Sequence, residues 1–326
     1  MSTEPRFTQS GSSVTYDYNI IPAAAMILDS ADELARMQRV DGVKSIEPDS
    51  IVSLNSELIN PPERSERLDN GEGVDIYGID TGIYIQHNCF GGRAFWGKTF
   101  GGYKDQDGNG HGTHTAGTAV CSDFKPGLAG KAKVYAVKVL GDNGAGNDSD
   151  VIAGVEFAMK QSQASGRPSI AVMSLGGSKT ESVDSAVRAA IANGLHFVVA
   201  AGNYNLPAEQ FSPADAKEAN TIGAVDNDNK KAYFSNFGGT IDVWYYGVNV
   251  KSAWIGGPNS TQVLSGTSMS TPGVASILAA YLSRDGNGKT SPADLSKKLQ
   301  ANAKHAVKSE SGLPIVGSTD LLAAPF

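Results

Sequence analysis

The sequence lacks any run of about 18 apolar residues, which excludes a membrane-spanning helix of ordinary length. Cysteine is scarce: two residues in 326, Cys89 and Cys121, permit at most one intrachain bridge, so a hydrophobic core and not a disulfide framework has to hold the fold. Whether those two pair or stay as buried thiols is left open by the sequence. Basic residues are in deficit, 27 Lys and Arg against 34 Asp and Glu, and a formal charge of -7 with a pI near 5.3 argues against nucleic acid as a partner. The amino terminus has no positively charged segment leading into an apolar core, so no secretory signal is visible. The nearest imitation, Ile20 to Leu28, follows Asp17 and is interrupted by Pro22, and it reads as part of a small folded segment.

What is present suffices for a large core, with 40% apolar residues in a length suited to one big domain or one plus an appendage. Charge divides the chain unevenly. Residues 1 to 58 carry nine Asp and Glu against four Lys and Arg, which sets them apart from 59 to 326. In the second part, short apolar runs at Val74 to Ile79, Val134 to Leu140, Ile170 to Leu175, Leu195 to Ala201 and Thr221 to Val225 have the length of strands covered on both faces. Helical periodicity lies between them, over Ser149 to Gln163 after an Asp148/Ser149 cap, and over Ser182 to Asn193 with Gly194 as a stop. Strands alternating with helices predict a parallel sheet in an α/β domain from about residue 59 onward.

Three segments carry chemistry. Asp80-Thr81-Gly82 closes the first apolar run, at the strand end where a parallel sheet binds ligands. A pair of catalytic carboxylates would need a second such tripeptide in an all-β chain, and there is none. Next, "DGNGHGTHTAGTAV" sets His111 at the start of a helix whose small residues suit close packing on the sheet. A zinc pair at His111 and His114 is disfavoured, because the spacing and the intervening Glu of the helical zinc motif are missing. Finally, "LSGTSMSTPGVASILAAYL" places Ser268 at a helix amino terminus, where the dipole favours negative charge on an attacking oxygen. Ser270 stands where the second glycine of a nucleophile elbow would be, which excludes the α/β-hydrolase pattern.

Together "IDTGI", "GHGTHTAGT", "SLGG", "AAGN" and "SGTSMSTP" resemble, in order and spacing, the signature segments of the subtilisin-like serine proteases, most closely their proteinase K branch in fungi; the likeness covers roughly residues 71 to 285. The resemblance implies a three-layer, doubly wound, mostly parallel sheet preceded by a small α+β subdomain. It implies a serine endopeptidase in which Ser268 attacks, His111 relays the proton, Asp80 orients the imidazole, and Asn203 with the Ser268 backbone N–H binds the oxyanion. It makes Ser174, Leu175, Gly176 and Gly177 one wall of a substrate cleft. The other wall is the 142–147 loop with Gly144, Ala145 and Gly146. Substrates would be proteins or peptides with an apolar preference, with no cofactor for catalysis.

The same resemblance implies a structural calcium ion held by Asp242 and the carbonyls of Lys217 and Ala219, and a secreted monomer. Residues 14 to 54 look like part of an inhibitory propeptide, with a helix capped by Asp29 or Ser30. The tail of that propeptide would fill the cleft until cut near residues 54 to 60. Some positions depart from the family pattern: "NSELINPPERSERLDNGEGV" is short, Gly273 stands where relatives carry histidine, and Thr115 where many carry cysteine. The alternative reading is a catalytically silent relative that binds peptides.

Overall fold

A strand that is apolar at consecutive positions has to be covered on both faces, and the central strands of this protein are. The structure, a computed structural model, describes residues 12–54, 70–124 and 126–326. The chain opens with β1 (Ser13–Asp17), β2 (Ala24–Ile27), α1 (Ala31–Met37) and β3 (Ile51–Ser53). It continues with β4 (Asp75–Asp80), β5 (Ala94–Thr99), α2 (His111–Val120), β6 (Lys133–Lys138), β7 (Ala145–Asn147), α3 (Asp148–Ser165) and β8 (Ser169–Met173). Then come β9 (Gly177–Ser178), α4 (Glu181–Ala192), β10 (His196–Ala200), β11 (Phe211–Ser212), β12 (Asn220–Val225) and β13 (Val243–Tyr246). The last elements are β14 (Val250–Ala253), β15 (Thr261–Leu264), α5 (Thr267–Leu282), α6 (Pro292–Asn302), β16 (Lys304–His305) and β17 (Leu321–Leu322).

Nine strands form one sheet in the order β16-β17-β13-β12-β10-β8-β4-β6-β5, every pairing parallel except β16 with β17. One face carries a core in which Val120 of α2 and Val274, Ile277 and Leu278 of α5 meet Ile76, Ile170 and Val198 of the sheet. The opposite face packs Val155 of α3 and Val187 of α4 against Tyr77, Ile79 and Val199. This is the three-layer doubly wound architecture that the resemblance implies, built on the parallel sheet that the strand–helix alternation leads one to expect. Every strand end that matters for ligands therefore lies along one edge.

Glycine brings α2 close enough to that edge to be useful. A Cβ on Gly112 would sit 2.1 Å from the carbonyl oxygen of Gly82, and one on Gly117 would meet Ser252 Oγ at 2.5 Å. Gly273 has a different reason: the Tyr245 ring fills the space a side chain there would need, its Cε1 lying 2.4 Å from the position a Cβ would take. Cys89 and Cys121 are joined in a disulfide that ties the segment after β4 to the end of α2. A bridge spanning 32 positions contributes about 3–4 kcal/mol on a chain-entropy account.

The N-terminal segment forms the elements the sequence suggests. β1 and β2 pair as an antiparallel hairpin, and Ser30 caps α1 by accepting from Glu33 N at 3.2 Å. Tyr18 Oη donates to Ser149 O at 3.0 Å and Tyr16 Oη to Asp150 Oδ1 at 2.7 Å. The expected Asp148/Ser149 cap of α3 is corrected here. The helix starts at Asp148 behind Asn147, which makes no side-chain cap, and the cap comes from elsewhere in the chain. Asp49 accepts from Ser149 N at 2.9 Å and from Ser149 Oγ at 2.6 Å. Glu47 accepts likewise from Ser182 N and Oγ at the start of α4, at 3.3 and 2.9 Å. Carboxylates satisfy orphan N–H groups at two positive helix ends, which local sequence could not reveal. The expected boundary at 58/59 and the bulk of the expected cleavage stretch, residues 55 to 60, lie outside the described residues.

Two outcomes are expected. Gly112→Ala has to push α2 off the Gly82 carbonyl, and chemical denaturation is expected to register a loss of about 1–3 kcal/mol or more. The second concerns Asp148, which is 4% exposed and whose carboxyl is pushed up to about 6 by burial and secondarily by the charges of Asp49 and Glu47. Because docking of the N-terminal segment raises this group, docking takes up a proton, is favoured below the ordinary carboxylate range and weakens as pH rises through about 6. Hydrogen exchange of residues 47–54 is expected to be slower at pH 5 than at pH 7.5 in the native chain, with the difference reduced in Asp148→Asn.

Candidate active site

Asp80 ends β4, in register with Lys138 of β6, where the chain turns through Thr81. Its Oδ1 accepts from Thr81 N at 2.7 Å, and its two oxygens lie 2.9 and 3.0 Å from His111 Nδ1. Both residues are 2% exposed. A carboxylate buried this way needs a partner, and the imidazole supplies it while being fixed in one orientation.

Three further groups hold that pair. Asp107 accepts from Gly110 N at 2.8 Å, Thr113 N at 3.0 Å, Thr113 Oγ1 at 2.6 Å and Thr81 Oγ1 at 3.0 Å, so one carboxylate caps α2 and binds the Asp80 turn. Burial pushes the Asp107 carboxyl up, and the bonds from Thr113, Gly110 and Thr81 oppose that shift. Thr81 Oγ1 also accepts from Gly112 N at 2.9 Å. Lys138, with no exposed surface, donates to Thr81 O at 2.6 Å and to Asp142 Oδ1 at 2.9 Å, tying the turn to the 142–147 loop. His114 is a packing residue: its Nε2 lies 3.0 Å from Val250 O, and burial drives its pKa down to about 3.

Ser268 stands in the first turn of α5, and its neighbourhood follows from Pro272. Pro272 has no N–H for the carbonyl four residues back, so Ser268 O accepts instead from Ser174 Oγ at 2.9 Å. The exchange is reciprocal, since Ser268 Oγ donates to Ser174 O at 2.9 Å. Ser268 and His111 are therefore not hydrogen bonded to each other, and the buried His111 Nε2 has no hydrogen-bond partner. Asn203 follows β10 past Gly202, whose φ is +100°. Its Oδ1 accepts from Thr267 N at 2.8 Å and Thr267 Oγ1 at 2.9 Å, which turns the Nδ2 end of the amide away from Thr267. Asn203, Ser268, Leu175, Gly176, Ala200 and Ala201 line a single cavity.

The two expected walls face each other across β3. Ile51, Val52 and Ser53 pair antiparallel with Asn147, Gly146 and Ala145, and Leu54 N donates to Gly144 O at 3.1 Å. On the other side Ser53 N donates to Gly176 O at 3.2 Å, and a Cβ on Gly177 would meet Ile51 O at 3.1 Å. An extended strand thus fits between Gly144–Asn147 and Ser174–Gly177, and the chain's own residues 51–54 are in it.

The expected calcium donors fare differently. Asp242 accepts from Thr221 N through Oδ2 and from Gln300 Nε2 through Oδ1, both at 2.8 Å, so both oxygens already hold donors. Burial pushes this carboxyl up to about 7, and among the described residues no group of three or more His, Cys, Asp or Glu gathers as a metal cluster. The other two expected donors, Lys217 and Ala219, offer backbone carbonyls, which calcium accepts as readily as carboxylates. Sequence reasoning also missed Asp107, Lys138 and Thr267. Asp107 alone had a local signal, a carboxylate just ahead of a helix start.

The Subtilase family matches residues 71–316. Subtilisin-like proteinase Spm1 of Pyricularia oryzae is 50% identical over 227 residues, 66% of this chain and 42% of that protein. Subtilisin-like serine protease Cur l 4.0101 of Cochliobolus lunatus is 48% identical over 249 residues, 72% of this chain and 49% of that one. The chain thus spans about half the length of these relatives. The crystal structure of a cold adapted subtilisin-like serine proteinase superimposes with a TM-score of 0.73 at 37% identity, covering 82% of this chain and 94% of that one. Sheet order, motif order and these likenesses agree, and the chain belongs to the subtilase family.

Proposed function

We propose that this chain is a serine endopeptidase whose N-terminal segment occupies its own substrate cleft. The observation that carries the reading is the buried Asp80–His111 pair at the sheet edge to which α5 delivers Ser268. In this reading the Ser268 hydroxyl leaves Ser174 O for His111 Nε2, a buried nitrogen without a hydrogen-bond partner and the acceptor the reaction needs. Its oxygen then attacks the peptide carbonyl carbon while the proton passes to Nε2, and Asp80 stabilises the imidazolium. The oxyanion is met by Asn203 Nδ2 and the Ser268 backbone N–H at the positive end of α5. Collapse breaks the C–N bond, the leaving amine takes the proton from His111, and water hydrolyses the acyl-enzyme by the reverse relay.

Substrate binds as an added strand, in the manner of residues 51–54. The cavity beside Ser268 is lined by uncharged residues such as Leu175, Ala200 and Ala201, which supports a preference for apolar side chains. The cystine suits an oxidising, extracellular destination. The bond from Ser268 Oγ to Ser174 O is the one observation that favours a silent, peptide-binding relative.

A fluorophosphonate distinguishes the two readings. Stoichiometric labelling at Ser268 with hydrolysis of an unfolded casein is expected, and folded protein freed of residues 12–54 that neither labels nor cleaves would contradict the proposal. Steady-state kinetics are expected to show Ser268→Ala lowering turnover by about 10⁶ and Asn203→Ala by about 10² to 10³, magnitudes carried over from subtilisin. An Asn203→Ala enzyme with undiminished turnover would remove Asn203 from the oxyanion site.

A further inference from the structure

The loop that carries Asn203 is gripped by a residue thirty-three positions downstream that touches no substrate surface. Asn236 has no exposed surface, and its backbone N donates to Gly202 O at 2.9 Å. Its Nδ2 donates to Ala201 O at 2.8 Å, and its Oδ1 accepts from Tyr204 N and Leu206 N, both at 3.0 Å. Four bonds thus bracket Asn203, two on the residues before it and two on residues after it. Gly202 lets the loop come this close: its φ is +100°, and a Cβ there would sit 2.4 Å from Asn236 Nδ2.

Asn236 is itself anchored to the sheet. The preceding Ser235 Oγ donates to Asn236 O at 3.0 Å and accepts from Ala224 N of β12 at 3.0 Å. On either side, Asn205 N donates to Phe234 O at 2.7 Å and Phe237 N to Leu206 O at 3.1 Å. The loop therefore hangs between two supports, α5 through the Thr267 bonds to the Asn203 side chain, and β12 through Asn236. The chemistry asks for an amide at this place. One carboxamide donates to a carbonyl and accepts from two N–H groups, whereas alanine does neither, and aspartate keeps the acceptor but loses the donor and adds a buried charge.

Building on the oxyanion role proposed for Asn203, we infer that Asn236 is the positioning residue that fixes the Asn203 amide in place before the transition state forms. A donor works in an oxyanion site only if its position is set beforehand, and a shift of about 1 Å costs on the order of 10²-fold. Replacing the Asn236 side chain removes one bond before residue 203, to Ala201 O, and two after it, from Tyr204 N and Leu206 N, while leaving the Thr267 bonds and the Asn236 N–H bond to Gly202 O intact, so the loss falls on turnover and not on strand-like substrate binding.

The test is a double-substitution cycle on the full chain, with active sites counted by fluorophosphonate burst. Asn236→Ala is expected to lower kcat per labelled site by about 10- to 100-fold with KM changed less than about threefold, and to weaken a peptide aldehyde in proportion, since its hemiacetal presents the same oxygen to Asn203. In an Asn203→Ala background the same substitution is expected to cost less than about threefold more. Asn236→Asp, run through the same cycle, covers the case in which the alanine variant does not fold. Unchanged kcat per labelled site, or an undiminished loss in the Asn203→Ala background, would overturn the inference. Wild-type protein that, once freed of residues 12–54, neither labels nor hydrolyses would instead sink the endopeptidase reading itself.

Discussion

A carboxylate with 2% exposure at the end of a strand covered on both faces has to be compensated, and in this protein the compensation is the ring of His111. That pairing sets the position of α2, because the imidazole can reach Asp80 only if the helix lies within van der Waals contact of the Asp80 turn. Gly112 permits the approach, and Asp107 holds it by capping the helix and gripping Thr81 together. Lys138 then carries the constraint outward to the cleft wall through Asp142. Asp80, His111, Asp107 and Lys138 are all buried, so each is costly to leave unpaired, and the result is a site whose geometry is stored in the scaffold.

The serine side is built on a different device. Pro272 withholds one N–H from α5, and the carbonyl it leaves behind links Ser268 to Ser174, which belongs to the opposite wall. Ser268 is thereby attached to the surface along which a peptide strand would lie. Residues 51–54 lie along that surface, and Glu47 and Asp49 hold them there by satisfying two helix amino termini. The chain caps α3 and α4 with the same segment that fills its cleft, so opening the cleft uncovers both helix ends.

Much of the sheet was legible because strands buried on both faces leave continuous apolar runs. The run ending at Leu140 overshoots β6 by two residues for a physical reason: Val139 N and Leu140 N both turn to Asp80 O and leave the ladder. β5 was not read, since an edge strand with half-exposed positions carries no such run. Asp80, His111, Ser268 and Asn203 were singled out through motif order, and the structure puts each at or near the end or start of an element. Asp49 on Ser149 and Asn236 on the 201–206 loop were not found, because a bond across a hundred positions, or across a turn with no periodic pattern, leaves no mark on neighbouring residues. The cap assigned to Asp148 failed for the same reason, and the bond from Gln300 of α6 to Asp242 was likewise not read, because it too comes from another element.

The central claim is that hydroxyl, imidazole and amide converge on one reacting carbon. A crystal structure of the protein with a peptide boronate measures this directly. The account expects boron bonded to Ser268 Oγ, a hydrogen bond of about 2.6–3.2 Å from that adduct to His111 Nε2, and a boronate oxygen on Asn203 Nδ2. A boronate bound away from Ser268, or bonded to it with the His111 ring out of reach, would contradict it.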